Sequence, residues 1–455
     1  MKDPGSFRDP SGFVFFQKNK VFRAIHNSYK ENYEFLTSSG LYKELTDKNL
    51  LVKHKLSEQE KPENICCILE VERIFPINYP YEWSFSQLRD AAILTLEIQK
   101  ISVEHGMLLK DATPYNVQFQ NNSPIFIDTL SFEKIVGGNH AWKAYKQFNE
   151  MFLSPLCLMS YKDPSLNKLL IPFLDGIPLS ITNKLLPLKK KFNPTVFTNL
   201  VLPNLISSQL TSGTSTTEKI ISKQQHLNII EQLLNFVRKM KIIEEDSEWG
   251  EYNFETISEK EGYVKDKELT VESLLNGRTY DVIWDIGSND GYYSRKVNQI
   301  TNGHVMSIDI DWNCVEKNYL INQKKKIDNV TPILADLSNP SPGIGWMNKE
   351  RSPIYSRIGE PGLICLFAVI HHIINRNVPI DFIIDFIAKS SKHVLIEYVP
   401  LSDPKSQIIF ASRGDEFTYP SQEEFEEKVS SQFNVVKKKK LAQTDRILFL
   451  LEKKT

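Results

Sequence analysis

The 455-residue chain is poor in cysteine, and its few cysteines do not form a metal-binding pattern. No CxxC pair occurs, and each cysteine stands in or beside an apolar stretch, as buried reduced thiols do. We therefore expect no structural disulfide and no metal site. The five cysteines are Cys66, Cys67, Cys157, Cys314 and Cys365.

Excess charge and long apolar runs are also lacking. The 55 basic and 56 acidic residues leave a net charge of -1, so no overall field draws the protein to nucleic acid, and we expect no nucleic-acid partner. The most apolar run, GLICLFAVIHHII from Gly362, is too short to span a bilayer, and the N-terminus has no basic head followed by an apolar stretch. We expect a cytoplasmic protein without a membrane span, whose oligomeric state stays open.

The length of the chain predicts two or three domains. Residues 1–140 form an α+β N-terminal region, residues 141–269 a mostly helical connector, and residues 270–455 the last domain. The connector contains a polar, aperiodic run at 207–217, which predicts a flexible linker. Apolar residues at helical spacing within 218–243 predict a helix that leads into the last domain.

In the last domain, short apolar runs alternate with amphipathic segments of helix length. This pattern predicts an α/β fold with a parallel sheet and crossover helices. The final two runs are separated by a short polar stretch, which predicts a terminal antiparallel hairpin at the sheet edge. The predicted strands begin at Asp281, His304, Val330, Leu363, His393, Phe433 and Arg446.

A glycine-containing turn, DIGSNDG, follows the first of these strands and precedes a helix. It begins at Asp285. Gly287 allows the chain to turn sharply off the strand, and Gly291 allows a ligand to lie close to the backbone at the helix N-terminus. We expect the amide groups of Ser288 and Asn289, between the two glycines, to face the ligand.

Acidic side chains follow the next two strands. Asp309 ends the second strand, where a carboxylate accepts hydrogen bonds from both hydroxyls of a ribose, and Asp311 is the neighbouring candidate. Asp336 and Leu337 follow the third strand and offer a carboxylate and an apolar side chain to the amino group and face of an adenine. Three successive strand ends thus predict one nucleoside site.

With these motifs the chain resembles class I (Rossmann-like) S-adenosylmethionine-dependent methyltransferases. The resemblance covers about residues 270–455 and implies S-adenosyl-L-methionine as the cofactor. It also implies that the methionine part lies at Asp285, Gly287 and Gly291, the ribose at Asp309, and the adenine at Asp336 and Leu337. The middle glycine of the family motif is replaced by Asn289, a residue type that tolerates unusual backbone angles.

Other segments resemble, more specifically, bacterial methyltransferases related to nodulation proteins. These are DLSNPSPGIGW, AVIHHI, LIEYVPLSDP and SRGDEFTYP in the last domain, with YPYEWSFSQLRDA and LLKDATPYNVQF before it. A glycine turn after a strand would also suit a nicotinamide enzyme. The closing antiparallel hairpin is typical of methyltransferases and favours that assignment.

Three residues are candidates for catalysis. His371 and His372 lie just beyond the fourth strand, at the edge where open α/β sheets place their substrates, and an imidazole there can act as a general base. The alternative is that one histidine caps the strand end and the other packs in the core. Glu397, on the fifth strand, either binds the acceptor or bonds only to nearby backbone amides.

The N-terminal region contains a motif of its own. Asp111, Asn116 and Asp128 have the order and spacing of a phosphotransferase catalytic loop and its metal-binding aspartate, so this region resembles kinase-like folds. Leu109 stands where a histidine is expected, and Thr129 follows Asp128 where that motif has a phenylalanine. The alternative is a strand-turn-strand scaffold held by buried hydrogen bonds.

Three functions follow from these patterns. The first is a methyltransferase that acts on a small-molecule or glycan-like oxygen or nitrogen acceptor, with catalysis mostly by positioning. The second is a bifunctional or regulatory protein whose kinase-like region binds nucleotide or a partner. The third is a cofactor-binding scaffold without catalytic activity.

Overall fold

The computed structural model describes residues 2–209, 220–242, 261–411, 413 and 418–454. They divide into two compact units. The first comprises Met1–Glu244 and Pro342–Pro353, and the second comprises Glu245–Ser341 and Ile354–Thr455. Most of the predicted linker at 207–217 and part of the SRGDEFTYP segment lie outside the described residues.

The first unit contains a four-stranded antiparallel sheet and two short strand pairs. The sheet has the order β1-β2-β4-β3, and the short pairs are β5 with β8 and β6 with β7. Asn121 and Asn122, both at positive φ, form the turn between β6 and β7, as asparagines do in tight hairpins. The strands are β1 Gly12–Gln17, β2 Lys20–His26, β3 His54–Leu56, β4 Ile65–Val71, β5 Met107–Leu109, β6 Val117–Gln120, β7 Ser123–Phe126 and β8 Phe132–Lys134.

A long helix, Phe85–Glu104, is the centre of the first unit. Ser84 and Gln87 form a capping box at its start. The helix Lys223–Lys239 packs against it, and Gln99 bonds to the buried His226 at 3.1 Å. The helix predicted within 218–243 is therefore present, but it packs in the first unit.

The remaining helices of the first unit are mostly short. Two of them contain wide π-type turns, at Asn149–Leu153 and Phe197–Val201. The α-helices are Lys30–Ser38, Leu41–Asp47, Tyr145–Phe148, Ser154–Tyr161, Leu179–Leu185, Leu188–Lys191, Pro194–Val196 and Leu202–Gln209.

The second unit is a seven-stranded sheet with the order β11-β10-β9-β12-β13-β15-β14. The first five of these strands are parallel, and β15 runs antiparallel to both of its neighbours. The predicted α/β, Rossmann-like sheet with a terminal hairpin is confirmed. The strands are β9 Val282–Ile286, β10 His304–Asp309, β11 Val330–Leu334, β12 Leu363–Leu366, β13 His393–Tyr398, β14 Phe433–Lys440 and β15 Ile447–Lys453.

The order of the strands reverses between β9 and β12, and ligands of open α/β sheets bind at the carboxyl ends of the strands beside such a point. Apolar side chains from both sides of this point, including Ile283, Leu363 and Leu395, form one buried core. The helices of this unit are Glu261–Leu275, Tyr292–Thr301, Trp312–Lys325, Ile370–Asn375, Ile380–Ser390, Pro404–Phe410 and Gln422–Gln432.

The predicted domain boundaries differ from this division in two places. The predicted start at residue 270 lies inside the helix Glu261–Leu275, whose residues belong to the second unit. The segment 342–353 packs in the first unit, where the buried Glu350 pairs with Arg8 at 2.9 Å. Within the described residues, no helix is long and apolar enough to cross a membrane.

Candidate active site

Both glycines of the turn after β9 are required by the backbone. Gly287 has a φ of 75°, and a Cβ there would lie 2.5 Å from Cγ2 of Val369. Gly291 also has a φ of 75°, and a Cβ there would lie 2.3 Å from Oδ1 of Asn318. Asn289 has a φ of 51°, a conformation that asparagine tolerates better than most residues. The turn is therefore tightly packed from both sides.

The amide groups of this turn do not face a ligand, contrary to the prediction. Gly287 and Ser288 donate their N–H groups to the carbonyl oxygen of Ile308, and Asn289 donates its N–H to Asp309 at 2.7 Å. The turn folds back on β10, and these hydrogen bonds occupy the N–H groups of Gly287, Ser288 and Asn289. A pyrophosphate would find none of these three amides free. The groups of this turn that remain available to a ligand are side-chain oxygen atoms.

Two buried side-chain oxygens at this turn have no hydrogen-bond partner among the described residues. They are Oδ1 of Asp285 and Oγ of Ser288. The other oxygen of Asp285 accepts a hydrogen bond of 2.5 Å from the hydroxyl of Ser294. Burial raises the pKa of the Asp285 carboxyl to about 7. A ligand with an ammonium group would supply the missing partners.

Asp309 lies at the end of β10 beside the turn. Its carboxylate accepts hydrogen bonds from the N–H groups of Asn289 and Asp311, at 2.7 and 2.9 Å, and burial raises its pKa to about 6. These bonds fix its orientation and leave lone pairs for hydroxyl donors. Asp311 instead caps the helix Trp312–Lys325, because it accepts from the N–H groups of Asn313 and Cys314. The geometry thus favours Asp309 over Asp311 as a ribose ligand.

An apolar slot lies where β9, β10 and β11 end. Asp336 stands at its rim and accepts hydrogen bonds from Ser338 and, at 2.7 Å, from Arg376. Partial burial raises the pKa of Asp336, but the bonds from Ser338 and Arg376 outweigh it and hold the pKa below its ordinary value. The slot is lined by Ile286, Ile308, Ala335, Asp336, Leu337, Pro340, Ile354 and Tyr355.

The two candidate histidines lie on the short helix that follows β12. This helix adjoins Val369, the residue that contacts Gly287, so it begins beside the glycine turn. His371 is buried, and its Nδ1 has no hydrogen-bond partner in the part of the chain that the structure describes. Burial, followed by nearby positive charge, lowers the pKa of both imidazoles, that of His372 to about 4. Both rings are therefore neutral at pH 7.

Glu397 is engaged in a buried ion-pair cluster. Its carboxylate accepts from Lys267 at 2.6 Å and from the hydroxyl of Tyr263 at 3.1 Å, and it lies 3.5 Å from Arg446. Burial raises the pKa of Glu397, but the charges of Lys267 and Arg446 outweigh it and hold the pKa low. The geometry favours the structural alternative for Glu397, although its partners are side chains and not backbone amides.

The sequence prediction missed Lys267, Tyr263 and Arg446. One signal was present in the helix Glu261–Leu275, where Lys267 interrupts an apolar stripe that includes Tyr263 and Val271. A charged residue in such a stripe indicates a buried partner. For Arg446, which pairs bidentately with Asp403, no local pattern marks the contact.

The three N-terminal motif residues lie in one hydrogen-bonded chain. Asp128 forms an ion pair with Arg23 and accepts from Ser131, whose hydroxyl in turn accepts from Asn116 at 3.0 Å. Asp111 accepts from Asn116, and burial raises its pKa. Its Oδ1 has no partner among the described residues. Within those residues, no cluster of three or more His, Cys, Asp or Glu side chains could hold a metal ion.

Comparisons with known proteins give one relative along nearly the whole chain. The nodulation protein NoeA of Rhizobium meliloti (strain 1021) is 29% identical over 463 residues, which cover 99% of this chain and 95% of the relative. This similarity confirms the predicted resemblance to nodulation-related proteins. No family model matches the chain.

Solved structures similar to this chain are methyltransferases of low identity. The N-methyltransferase NodS from Bradyrhizobium japonicum WM9 is 11% identical, with a TM-score of 0.32, over 43% of this chain and 99% of its own. Haemonchus contortus phosphoethanolamine N-methyltransferase 2, crystallised with S-adenosyl-L-methionine, is 15% identical, with a TM-score of 0.30, over 42% of this chain and 53% of its own. The strand order, and not these scores, is our basis for the fold of the second unit.

Proposed function

We propose that the second unit is an S-adenosylmethionine-dependent methyltransferase domain that acts on a small-molecule or glycan-like oxygen or nitrogen acceptor. One observation supports this most. The ends of β9, β10 and β11 bring Asp285, Asp309 and Asp336 to one edge of the sheet, around an apolar slot. This arrangement matches a ligand with an ammonium group, a ribose and a flat base.

The residues present fit the proposed cofactor part by part. Oδ1 of Asp285 and Oγ of Ser288 would bond to the ammonium and carboxylate groups of its methionine part, and Asp309 would accept from the ribose hydroxyls. Leu337 and Asp336 would contact the face and amino group of the adenine. When bound, the cofactor supplies a methyl group on a positively charged sulfur, which is open to attack by a nucleophile.

On the acceptor side, His371 would accept the proton of the attacking hydroxyl or amine. It is suited to this role because its ring is neutral and its Nδ1 has no hydrogen-bond partner within the described part of the chain. A well-placed base contributes typically about 10² to 10⁴ in rate. We propose His372 as the alternative base, and we assign Glu397 to holding Lys267 in place, away from the acceptor.

Calorimetry tests cofactor choice with the full chain and three ligands: S-adenosylmethionine, S-adenosylhomocysteine and a nicotinamide dinucleotide. We expect the first two to bind and the third not to, because the turn amides that would hold a pyrophosphate are bonded to β10. Binding of the dinucleotide alone would overturn the proposal. Labelled cofactor in cell extract would then identify the acceptor, and cofactor binding without any methylated product would favour the scaffold function.

A second candidate function concerns the first unit. The buried Oδ1 of Asp111 has no hydrogen-bond partner among the residues that the structure describes, and this favours a polar ligand there. Against phosphotransfer, Asp128 is already paired with Arg23 and would have to leave it to bind a metal. Titration of the full chain with a nucleotide and Mg²⁺ tests this. Binding that Asp111→Asn abolishes would support a nucleotide site.

A further inference from the structure

One stretch of the first unit presents large apolar side chains to solvent. Leu188 and Phe192 are 70% and 74% exposed, Phe197 is 40% exposed, and Leu202 and Ile206 are 39% and 48% exposed. Single exposed apolar residues are ordinary, but their concentration within one short stretch makes that stretch a candidate interaction surface. We call this stretch, 188–206, the apolar-basic segment.

The backbone of the apolar-basic segment is held by buried polar side chains. Asn183 donates from Nδ2 to the carbonyl oxygens of Leu179 and Leu200, both at 2.7 Å. Asn199 donates to the carbonyl oxygen of Thr195 at 2.7 Å. Val196 and Leu200 of the segment are fully buried. The exposed side chains are therefore held outward by a fixed backbone.

The charge around this segment has one sign. Lys184, Lys189, Lys190 and Lys191 lie in or next to it, and the sequence has no acidic residue between Asp175 and Glu218. In the described part of the chain, none of the four lysines lies within ion-pair distance of a carboxylate. The ammonium group of Lys190 instead lies 4.6 Å from the ring centre of Tyr161.

In a second lysine run of the chain, the lysines do form ion pairs with carboxylates. Lys438, Lys439 and Lys440, on the edge strand β14, pair with Glu426, Asp266 and Asp445. Such pairs neutralise the run locally, and lysines on an edge strand protect it from pairing with other chains. Because Lys189, Lys190 and Lys191 have no carboxylate partner among the described residues, their charge distinguishes the apolar-basic segment from the other run.

We propose that the apolar-basic segment docks the protein on the surface of a membrane that contains anionic lipids. Lysines attract anionic headgroups, while exposed Leu, Ile and Phe side chains insert at the boundary of the acyl chains. Aliphatic side chains favour a bilayer over nucleic acid, whose phosphates offer them no apolar contact. The segment lies on the membrane and does not cross it. This inference is independent of the proposed methyl transfer.

Co-sedimentation with vesicles tests the proposal. The full chain should bind vesicles of phosphatidylcholine with phosphatidylserine and bind vesicles of phosphatidylcholine alone much less. Lys189→Gln/Lys190→Gln/Lys191→Gln should weaken binding on the order of 100-fold, since each lysine near an anionic surface contributes about fivefold. Phe192→Ser/Phe197→Ser should weaken it by about tenfold or more.

The matched control is Lys438→Gln/Lys439→Gln/Lys440→Gln, which removes the same charge elsewhere. It should change vesicle binding less than threefold, and circular dichroism should show that all variants are folded. Equal loss in both lysine variants would overturn the proposal, because net charge alone would then explain binding. The proposal would also be overturned if the full chain did not bind anionic vesicles at low salt. Equal vesicle binding by the Phe192→Ser/Phe197→Ser variant and the parent would overturn it as well, and that result would point to an acidic protein as the partner.

Discussion

Asp309 and Asp311 are two positions apart, and their carboxylates have different tasks. We expect Asp309→Ala to weaken binding of S-adenosylmethionine by about 1 to 3 kcal/mol, because ribose hydroxyls lose a charged acceptor. Asp311→Ala should leave affinity nearly unchanged and lower the free energy of unfolding by about 0.5 to 2 kcal/mol, since a helix cap is lost. Calorimetry and denaturant unfolding measure the two effects. The reverse pattern would show that the ribose is held by Asp311.

If His371 or His372 is the proposed base, the reaction should have an unusual pH dependence. A base with an ordinary histidine pKa would lose activity as the pH falls through about 6.5. Because burial lowers the pKa of both rings, that of His372 to about 4, the neutral base persists to lower pH. We expect the rate ratio of parent to His371→Ala to stay constant from pH 8 through the ordinary histidine range near 6.5 and to fall only at lower pH, because burial lowers the pKa of His371.

The rate ratio is the proper measure because it cancels ionisation of the acceptor. His372→Ala is the matched variant, and it should keep cofactor affinity as His371→Ala does. If both variants turn over like the parent, the histidines only cap and pack, and catalysis is by positioning alone.

At the scale of elements, the Lys267–Glu397 pair joins the helix Glu261–Leu275 to β13. We expect Lys267→Met to lower the free energy of unfolding by about 3 to 5 kcal/mol, because Glu397 would keep a buried charge without its nearest partner. Lys267→Met/Glu397→Leu should recover most of that loss. Denaturant unfolding of the single and double variants measures the coupling.

The control for this pair is Lys296→Met, which breaks an exposed pair with Glu268 at 3.7 Å. Exposed pairs contribute about 1 kcal/mol or less. A loss of that small size for Lys267→Met would mean that Arg446 alone neutralises Glu397.

Elements could be predicted from the sequence where one local pattern determines them. The apolar runs at β9 to β13 are buried on both faces, so their composition alone marks them as strands. The helix Lys223–Lys239 was also predicted, but an amphipathic pattern shows only that one face is buried. That its partner is the helix Phe85–Glu104 depends on contacts such as Gln99 to His226, which are distant in sequence.

The candidate site could likewise be predicted only where a local sequence pattern determines it. Asp309 and the glycine turn follow strands directly, so their shared edge could be predicted from strand order. The bonding of Gly287 and Ser288 to Ile308 could not, because it depends on how closely the turn folds back on β10. For a similar reason, the sequence left open whether Glu397 binds the acceptor or has a structural role, since its partners Lys267 and Arg446 come from remote parts of the chain.

At the scale of the molecule, the motif around Asp128 belongs to the first unit and the proposed cofactor site to the second. We therefore expect Asp128→Asn to change the Kd for S-adenosylmethionine less than twofold. The same variant should lower the melting temperature, because the buried Arg23 loses its counter-charge. Asp47→Asn, which breaks an exposed pair with Lys43, is the control and should not lower it measurably. Loss of cofactor binding in folded Asp128→Asn protein would contradict this separation.

Because the segment 342–353 packs in the first unit, the polypeptide passes from the first unit to the second, returns to the first, and passes to the second again. No single cut of the gene separates two self-sufficient products. A fragment ending before the second unit lacks Glu350 and leaves Arg8 without that partner. The remaining fragment contains residues 342–353 as an internal loop, without the residues of the first unit against which they pack. Had the two units arisen as separate genes, their present linkage would be hard to reverse, since each half would have to replace contacts that the other half now encodes.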